Sequence, residues 1–389
     1  MNTGRMVIAQ LLDFLPKHEF NRCVRRYRGN FHCRRLSCYD QFLCLTFAQL
    51  TGCESLRQIE TCLGAMGAKL YHAGWHASPA RSTLADANER RDWRIWAEFA
   101  QVLIARARKL YDGETFGAEL DETAYVLDAT IIDLCLSLFP WARFHHGKGA
   151  VKLHTQMDLR GNIPCVLWVS HARIVDAAFL DRLVPDPGAI YILDRGYVDF
   201  ARLRRLVEGS AHFVVRAKKN LKFVRLDYRR VDKTTGLRSD QTIRLADPKT
   251  SLRYPESLRL IHYFDSETEN RIVLLTDRFT LPALTVARLY KCRWQVELFF
   301  KWIKQHLKIK AFYGTSMNAV QTQIWIAISV YLLLAIARKE LRIGRSLSEI
   351  QQILKVTIFQ KDPVLQLFSQ GPISNPEINV TKQLSFLEI

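Results

Sequence analysis

The chain has 389 residues, enough for two or three domains and for at least one sizeable core. Its 48% hydrophobic and 24% charged residues are the make-up of a folded protein, which excludes wholesale disorder. Lys and Arg number 56 against 38 Asp and Glu, a formal charge of +18, so a polyanionic partner is expected; DNA, RNA and an anionic membrane surface satisfy the charge equally.

The first 16 residues lack an apolar core behind a basic start, so no export signal is read there and a cytoplasmic place is expected. Apolar residues then recur at three- and four-residue intervals in 41–49, 56–63 and 93–110, punctuated by Gly52, Gly64, Gly67 and Gly74. Residues 1–115 are expected to be an α-helical N-terminal DNA-binding domain. Ser82-Thr83-Leu84-Ala85 running into 86–96 reads as a capped helix start bearing Arg90, Arg91 and Arg94. Short helices with a basic third element suit a helix-turn-helix DNA module, although a plain bundle with solvated arginines has the same pattern. The nine cysteines form no C-x-x-C pair, and the Cys33/Cys38 and Cys53/Cys62 spacings match no common zinc module, so free thiols are expected.

From about residue 120 the texture changes. Residues 125–132, 151–158, 164–171, 189–193 and 211–216 are short runs rich in β-branched and apolar residues, with Gly161-Asn162 as a hairpin signal. Residues 175–183 and 197–208 have helical periodicity. Three strands, helix, strand, helix predicts an α/β fold with a mixed sheet, a core of 116–210 completed by 281–345. Between those parts, 211–280 reads as a β-rich insertion with strands at 241–245, 258–264 and 271–276 and polar loops such as 248–254. Residues 284–308 read as one long helix. The most apolar run, 324–337, is short for a bilayer and reads as a buried core helix, so no membrane is expected as partner. A C-terminal helix and a loose polar tail fill 346–389.

Two aspartates stand out against this background. Asp128 interrupts the apolar run Tyr125-Val126-Leu127-Asp128-Ala129-Thr130, where a charge is costly unless paired or metal-bound. Asp194 ends Ile190-Tyr191-Ile192-Leu193, just before Arg195-Gly196-Tyr197, and strand ends of open α/β sheets are common ligand sites. Taken alone, each also reads as a strand-end residue or a helix cap. In the long helix, Tyr290, Arg293, Glu297 and Lys304 fall within roughly a 60° arc, beside an apolar stripe of Leu289, Val296, Phe300, Ile303 and Leu307. Without the aspartates this would be an ordinary amphipathic helix with charge pairs.

With them the set has a chemical logic. In-line cleavage of a phosphodiester uses two divalent ions about 4 Å apart, which three carboxylates can hold. Arg and Lys beside them can grip flanking phosphates. In three signatures the chain resembles bacterial insertion-sequence transposases of the IS4 type, which have an RNase H-like catalytic core. They are Val126-Leu127-Asp128-Ala129-Thr130, Asp194-Arg195-Gly196-Tyr197, and Tyr290-x2-Arg293-x3-Glu297-x6-Lys304, the Y-R-E-K signature at full spacing. The resemblance covers about 120–340 and is loose over the N-terminal 110 residues.

It implies that Asp128, Asp194 and Glu297 bind Mg²⁺, with Mn²⁺ as a substitute, and carry catalysis. Tyr290, Arg293 and Lys304 would hold double-stranded DNA of the element ends by its phosphates. The basic exit of the insertion's first strand makes Arg216, Lys218 and Lys219 further DNA contacts. A homodimer holding both ends is implied as well. Lys152 and His154 fall near the expected site, His154 as a supporting group or as a structural histidine. A hairpin step would need a stacking aromatic; 271–276 supplies none, which leaves Trp294 and Trp302. An RNase H-like nuclease that cuts without joining, and a domesticated non-catalytic DNA-binding protein, stay open as alternatives.

Overall fold

The computed structural model describes residues 4–76, 78–116, 120, 122–145, 148–306 and 312–369. Leu307, Lys308 and the tail after Gly371 lie outside them.

Ten strands of the described residues join in one sheet. β1 (Ala124–Leu134), β2 (Arg143–His145), β3 (Lys148–Asp158) and β4 (Ile163–His171) are antiparallel neighbours, with β1 and β4 on either side of β3. β5 (Ile190–Leu193) pairs parallel to β1, and β6 (His212–Arg216) parallel to β5. The resulting order, β4-β3-β1-β5-β6, is the RNase H-like arrangement expected from the sequence. The insertion supplies β7 (Phe223–Arg229), β8 (Leu237–Leu245), β9 (Leu258–Asp265) and β10 (Asn270–Thr276). These extend the same sheet, because β10 pairs antiparallel with β6.

The middle strands are apolar on both faces because both are covered. Ile190 and Ile192 join one hydrophobic cluster with Val126 and Val214, while Tyr191 and Leu193 join a second with Leu127 and Phe213. That alternation is the strand pleat at work in a doubly covered sheet. The first cluster is the larger. It runs from Met6 in the N-terminal helices, through the helix Met317–Glu340, to Phe368. The helix as a whole, unlike the run 324–337 alone, is long and apolar enough to cross a membrane, and its apolar stretch is wholly buried inside the protein. It packs on the helices Arg94–Tyr111 and Cys38–Thr51.

Four expectations are corrected. The presumed loop 248–254 carries a short helix, Pro248–Arg253, capped by the Asp247 side chain. β2 and β7 were missed: β2 is only three residues long, and β7 mixes charge with apolar residues because it is exposed along nearly its whole length. The helix Arg81–Arg90 follows Ala80, which offers no side-chain cap, so Ser82 lies inside it. The long helix 284–308 is two helices, Ala283–Lys291 and Trp294–His306, with a turn at Cys292 and Arg293. All nine cysteines are free thiols, five of them buried.

Candidate active site

The parallel pairing of β1 with β5 ends at Leu127 opposite Leu193. The next residue on each strand is an aspartate, so Asp128 and Asp194 follow each other in register. The pleat sends both toward the face bearing Val126 and Ile192, the face of the larger cluster. The helix Trp294–His306 covers that face against β1. Val296, Phe300 and Ile303 pack into the core there, as the expected stripe required, and leave Glu297 at the surface.

The turn at Cys292-Arg293 makes the cluster converge. Amides there bond three residues back, Arg293 to Tyr290 and Val296 to Arg293, at 3.0 and 3.3 Å, which tightens the chain locally. Arg293 donates from Nη1 to Asp128 Oδ2 at 2.9 Å and from Nη2 to Glu297. Tyr290, on the preceding helix and buried, donates its hydroxyl to Asp194 Oδ1 at 3.3 Å. The Tyr/Arg/Glu row is thus not one straight helical face, yet the kink brings each member to a carboxylate or makes it one. Lys304 is half-buried, seven positions beyond Glu297 on the same helix.

Burial raises the Asp128 carboxyl from its ordinary 3.8 to about 6. The Ala129 amide and the Arg293 guanidinium oppose that rise, and the charges of Asp194 and Glu297 add to it. Tyr197, which sequence reasoning did not single out, belongs to the same neighbourhood. Its hydroxyl is buried without a hydrogen-bond partner and feels Asp128, Asp176 and Asp194, so its pKa is raised. The signal was present in Asp194-Arg195-Gly196-Tyr197, where the tyrosine served only as context.

The donor set is carboxylate oxygen, the kind a hard divalent cation takes. No three Asp, Glu, His or Cys side chains among the described residues close around a single ion as they stand. The guanidinium of Arg293 spans the interval between Asp128 and Glu297 instead. The residues fit a metal centre in the kind of donor they offer, with Arg293 as the resident counter-charge.

A cleft of about 1120 Å³ opens beside the cluster, lined among others by Arg216, Arg288, Arg293, Trp294, Glu297 and Arg338. Arg216 also borders an adjoining hollow with Arg195, Lys218, Lys219 and Arg271. Lys218 turns its ammonium to the Val198 carbonyl at 3.0 Å, while Lys219 is exposed. The two tryptophans separate: Trp294 is 54% exposed at the cleft, whereas Trp302 is buried edge-on against Tyr331. His154 is a core residue. It bonds Ser170 at 2.9 Å, stacks on Trp168, and has its pKa lowered to about 4 by burial. Lys152 pairs with Asp176 at 2.9 Å. Of the arginines that left a helix-turn-helix module and a plain bundle equally open, Arg90 and Arg94 make exposed local pairs and Arg91 is tied to backbone. Arg90 pairs with Asp86, Arg94 with Asp92, and Arg91 holds the carbonyls of Leu36 and Ser37.

The model of the Transposase DDE domain family matches residues 119–333, and the chain belongs to that family. It is a DNA transposase of the bacterial insertion-sequence kind, an enzyme whose family chemistry depends on divalent metal. Residues 3–76 match a second model, described as a domain of unknown function. The chain is 32% identical to the Sinorhizobium fredii protein y4zB, named as a transposase, over 76% of this chain and 82% of that one. It is 29% identical to a Geobacillus stearothermophilus protein named for insertion sequence element IS5377, over 54% and 55% of the two chains. It is 25% identical to a Synechocystis protein named for element IS4SA, over 65% and 70%. A solved piggyBac transposase synaptic complex with hairpin DNA has a TM-score of 0.46 at 10% identity, over 94% of this chain and 82% of that one, a likeness too slight to add to the assignment.

Proposed function

We propose that the chain excises and inserts an element of the IS4 type, binding its terminal inverted repeats, cutting at its ends and joining the freed 3′-hydroxyls to target DNA. Asp128, Asp194 and Glu297 would hold two Mg²⁺ ions, with Mn²⁺ as a substitute. When bound, the ions activate the attacking oxygen and neutralise the leaving one. The observation that carries the reading is the convergence of Asp128, within β1, and Asp194, just past the end of the neighbouring β5, with a helix-borne glutamate tied to Asp128 through Arg293.

In this reading Arg293 balances the carboxylate charge, and its planar fork would suit a DNA phosphate at the same place. Tyr290 fixes the Asp194 carboxylate through its hydroxyl. Arg216, Lys218, Lys219 and Lys304 lie along the phosphate path, and Trp294 at the cleft is the aromatic for a displaced base, if a hairpin is made. Two copies hold the two element ends, on the nucleoid in the cytoplasm. The name of the Synechocystis relative accords with the subtype.

The test is Mg²⁺-dependent cleavage of a duplex carrying the terminal repeat of the encoding element, by wild type and by Glu297→Gln. Cleavage by the wild type and its loss in a folded, DNA-binding variant is the expected result. Equal cleavage by both removes Glu297 from the site. Nicked products without joined ones point to a nuclease, and binding without cleavage by either points to a domesticated DNA-binding protein.

A further inference from the structure

The N-terminal segment that matches a domain of unknown function carries a second cationic surface, far in sequence from the carboxylates. Between Lys17 and Leu36 there are seven Lys and Arg against one Glu. The helix Lys17–Arg26 buries Phe20, Cys23 and Val24, which turns its arginines outward. Arg22 pairs with Glu19 and Arg26 with Glu98. Arg25, Arg28, Arg34 and Arg35 are exposed, and among the described residues none of the four pairs with a carboxylate.

The turn after that helix is built to a fixed shape. Arg28 and His32 have φ of 51° and 54°, the left-handed region that L side chains adopt at a cost. Gly29 between them lies so close to the core that a Cβ would stand 2.6 Å from both Cys38 Sγ and Ile95 Cδ1. Asn30 accepts the Cys38 amide at 2.7 Å, and Phe31 bonds back to Arg28 at 2.9 Å. This locked turn holds Phe31 68% exposed, with the Arg28 guanidinium over its ring and His32 against it. A shallow cleft of Asn21, Arg25, Arg28, Asn30 and Phe31 runs beside it.

We infer that this surface is a duplex-DNA site, in which Arg25, Arg28, Arg34 and Arg35 take backbone phosphates and Phe31 makes an apolar contact with base edges. Four exposed arginines without carboxylate partners on one short segment favour a polyanion. The exposed aromatic on a rigid turn adds a contact that phosphate charge alone does not call for. The inference rests on the transposase reading and places end recognition on the turn after the first basic helix, not on Arg90, Arg91 and Arg94.

The experiment is fluorescence-anisotropy binding of the full chain to a labelled duplex carrying the terminal repeat, across a salt series without divalent metal. Arg28→Ala/Arg35→Ala is expected to weaken binding and to reduce the slope of log K against log salt by about 2, the share of two phosphate contacts. Phe31→Ala is expected to lower affinity about fivefold at every salt concentration with the slope unchanged, as an uncharged contact requires. Matching thermal melts exclude misfolding, since all three side chains are exposed. Double-variant binding with wild-type affinity and slope overturns the inference while leaving the catalytic reading standing. An unchanged Phe31→Ala affinity overturns the base contact. Wild type that binds phosphatidylserine vesicles but no duplex overturns both readings.

Discussion

Asp128 and His154 answer the same physical pressure in opposite directions. Burial raises the aspartate to about 6 and lowers the histidine to about 4, since each avoids its charged form. For His154 the sign is clear: below its ordinary 6.5 the unfolded chain takes up a proton that the folded one refuses. Stability is present above pH 6.5 and is lost as pH falls toward 4, by up to about 3 kcal/mol. Asp128 works the other way between its ordinary 3.8 and about 6, where the folded chain holds the extra proton. The prediction therefore concerns a difference: urea unfolding of His154→Gln, which retains a side-chain partner for Ser170, should lack the acid-side loss seen in wild type. Tyr197 offers a second check. Its desolvated, unpartnered hydroxyl costs free energy, so Tyr197→Phe should melt at or above wild type, by up to about 1 kcal/mol. A clear loss of stability would mean that the hydroxyl has a partner in solution.

At the scale of elements, the β3–β4 hairpin shows how a turn is constrained from outside. Gly161 and Asn162 both have positive φ, 69° and 57°. A Cβ on Gly161 would lie 2.1 Å from the Tyr111 ring, at the end of the helix Arg94–Tyr111. Gly161→Ala should therefore cost about 2–4 kcal/mol, from strain and clash together, read as a lowered urea midpoint. A neutral result would show that the hairpin and that helix are not in contact in solution. The sequence announced this turn through Gly-Asn, and it announced β1, β3, β5 and β6 through their apolar runs, because those strands are buried on one or both faces. β7 was illegible because an exposed edge strand has no face to pattern. The site divides along the same line. Asp128 and Asp194 were readable as charges in or at the end of apolar strands, and Glu297 as part of a spaced row. The break at Cys292-Arg293 was not readable, since neither Pro nor Gly marks it; tertiary contacts, with Arg293 drawn to Asp128, decide that turn.

Taken whole, the protein has a core that ignores the divisions its sequence suggests. Residues from the N-terminal helices, from β1 and β3 and from Met317–Glu340 share one hydrophobic cluster. Hydrogen bonds stitch the same parts together: Tyr111 to the Ala335 carbonyl, Tyr313 to that of Cys53, and Val7 to that of Gln360. Thermal unfolding followed by far-ultraviolet circular dichroism and by tryptophan fluorescence should give coincident transitions, as one cooperative unit requires. Two separated transitions would show that the N-terminal helices hold together without the rest. The buried helix Met317–Glu340 also bears on how the protein is made. Its N-terminal packing partners, the helices Cys38–Thr51 and Arg94–Tyr111, leave the ribosome well before it does. Until translation reaches Glu340 those helices have no roof, and they wait with apolar faces open to water and to chaperones. A chain cut short upstream of Met317 is then expected to be cleared by proteolysis rather than to fold as a smaller transposase, which pulse-chase labelling of the truncated chain checks.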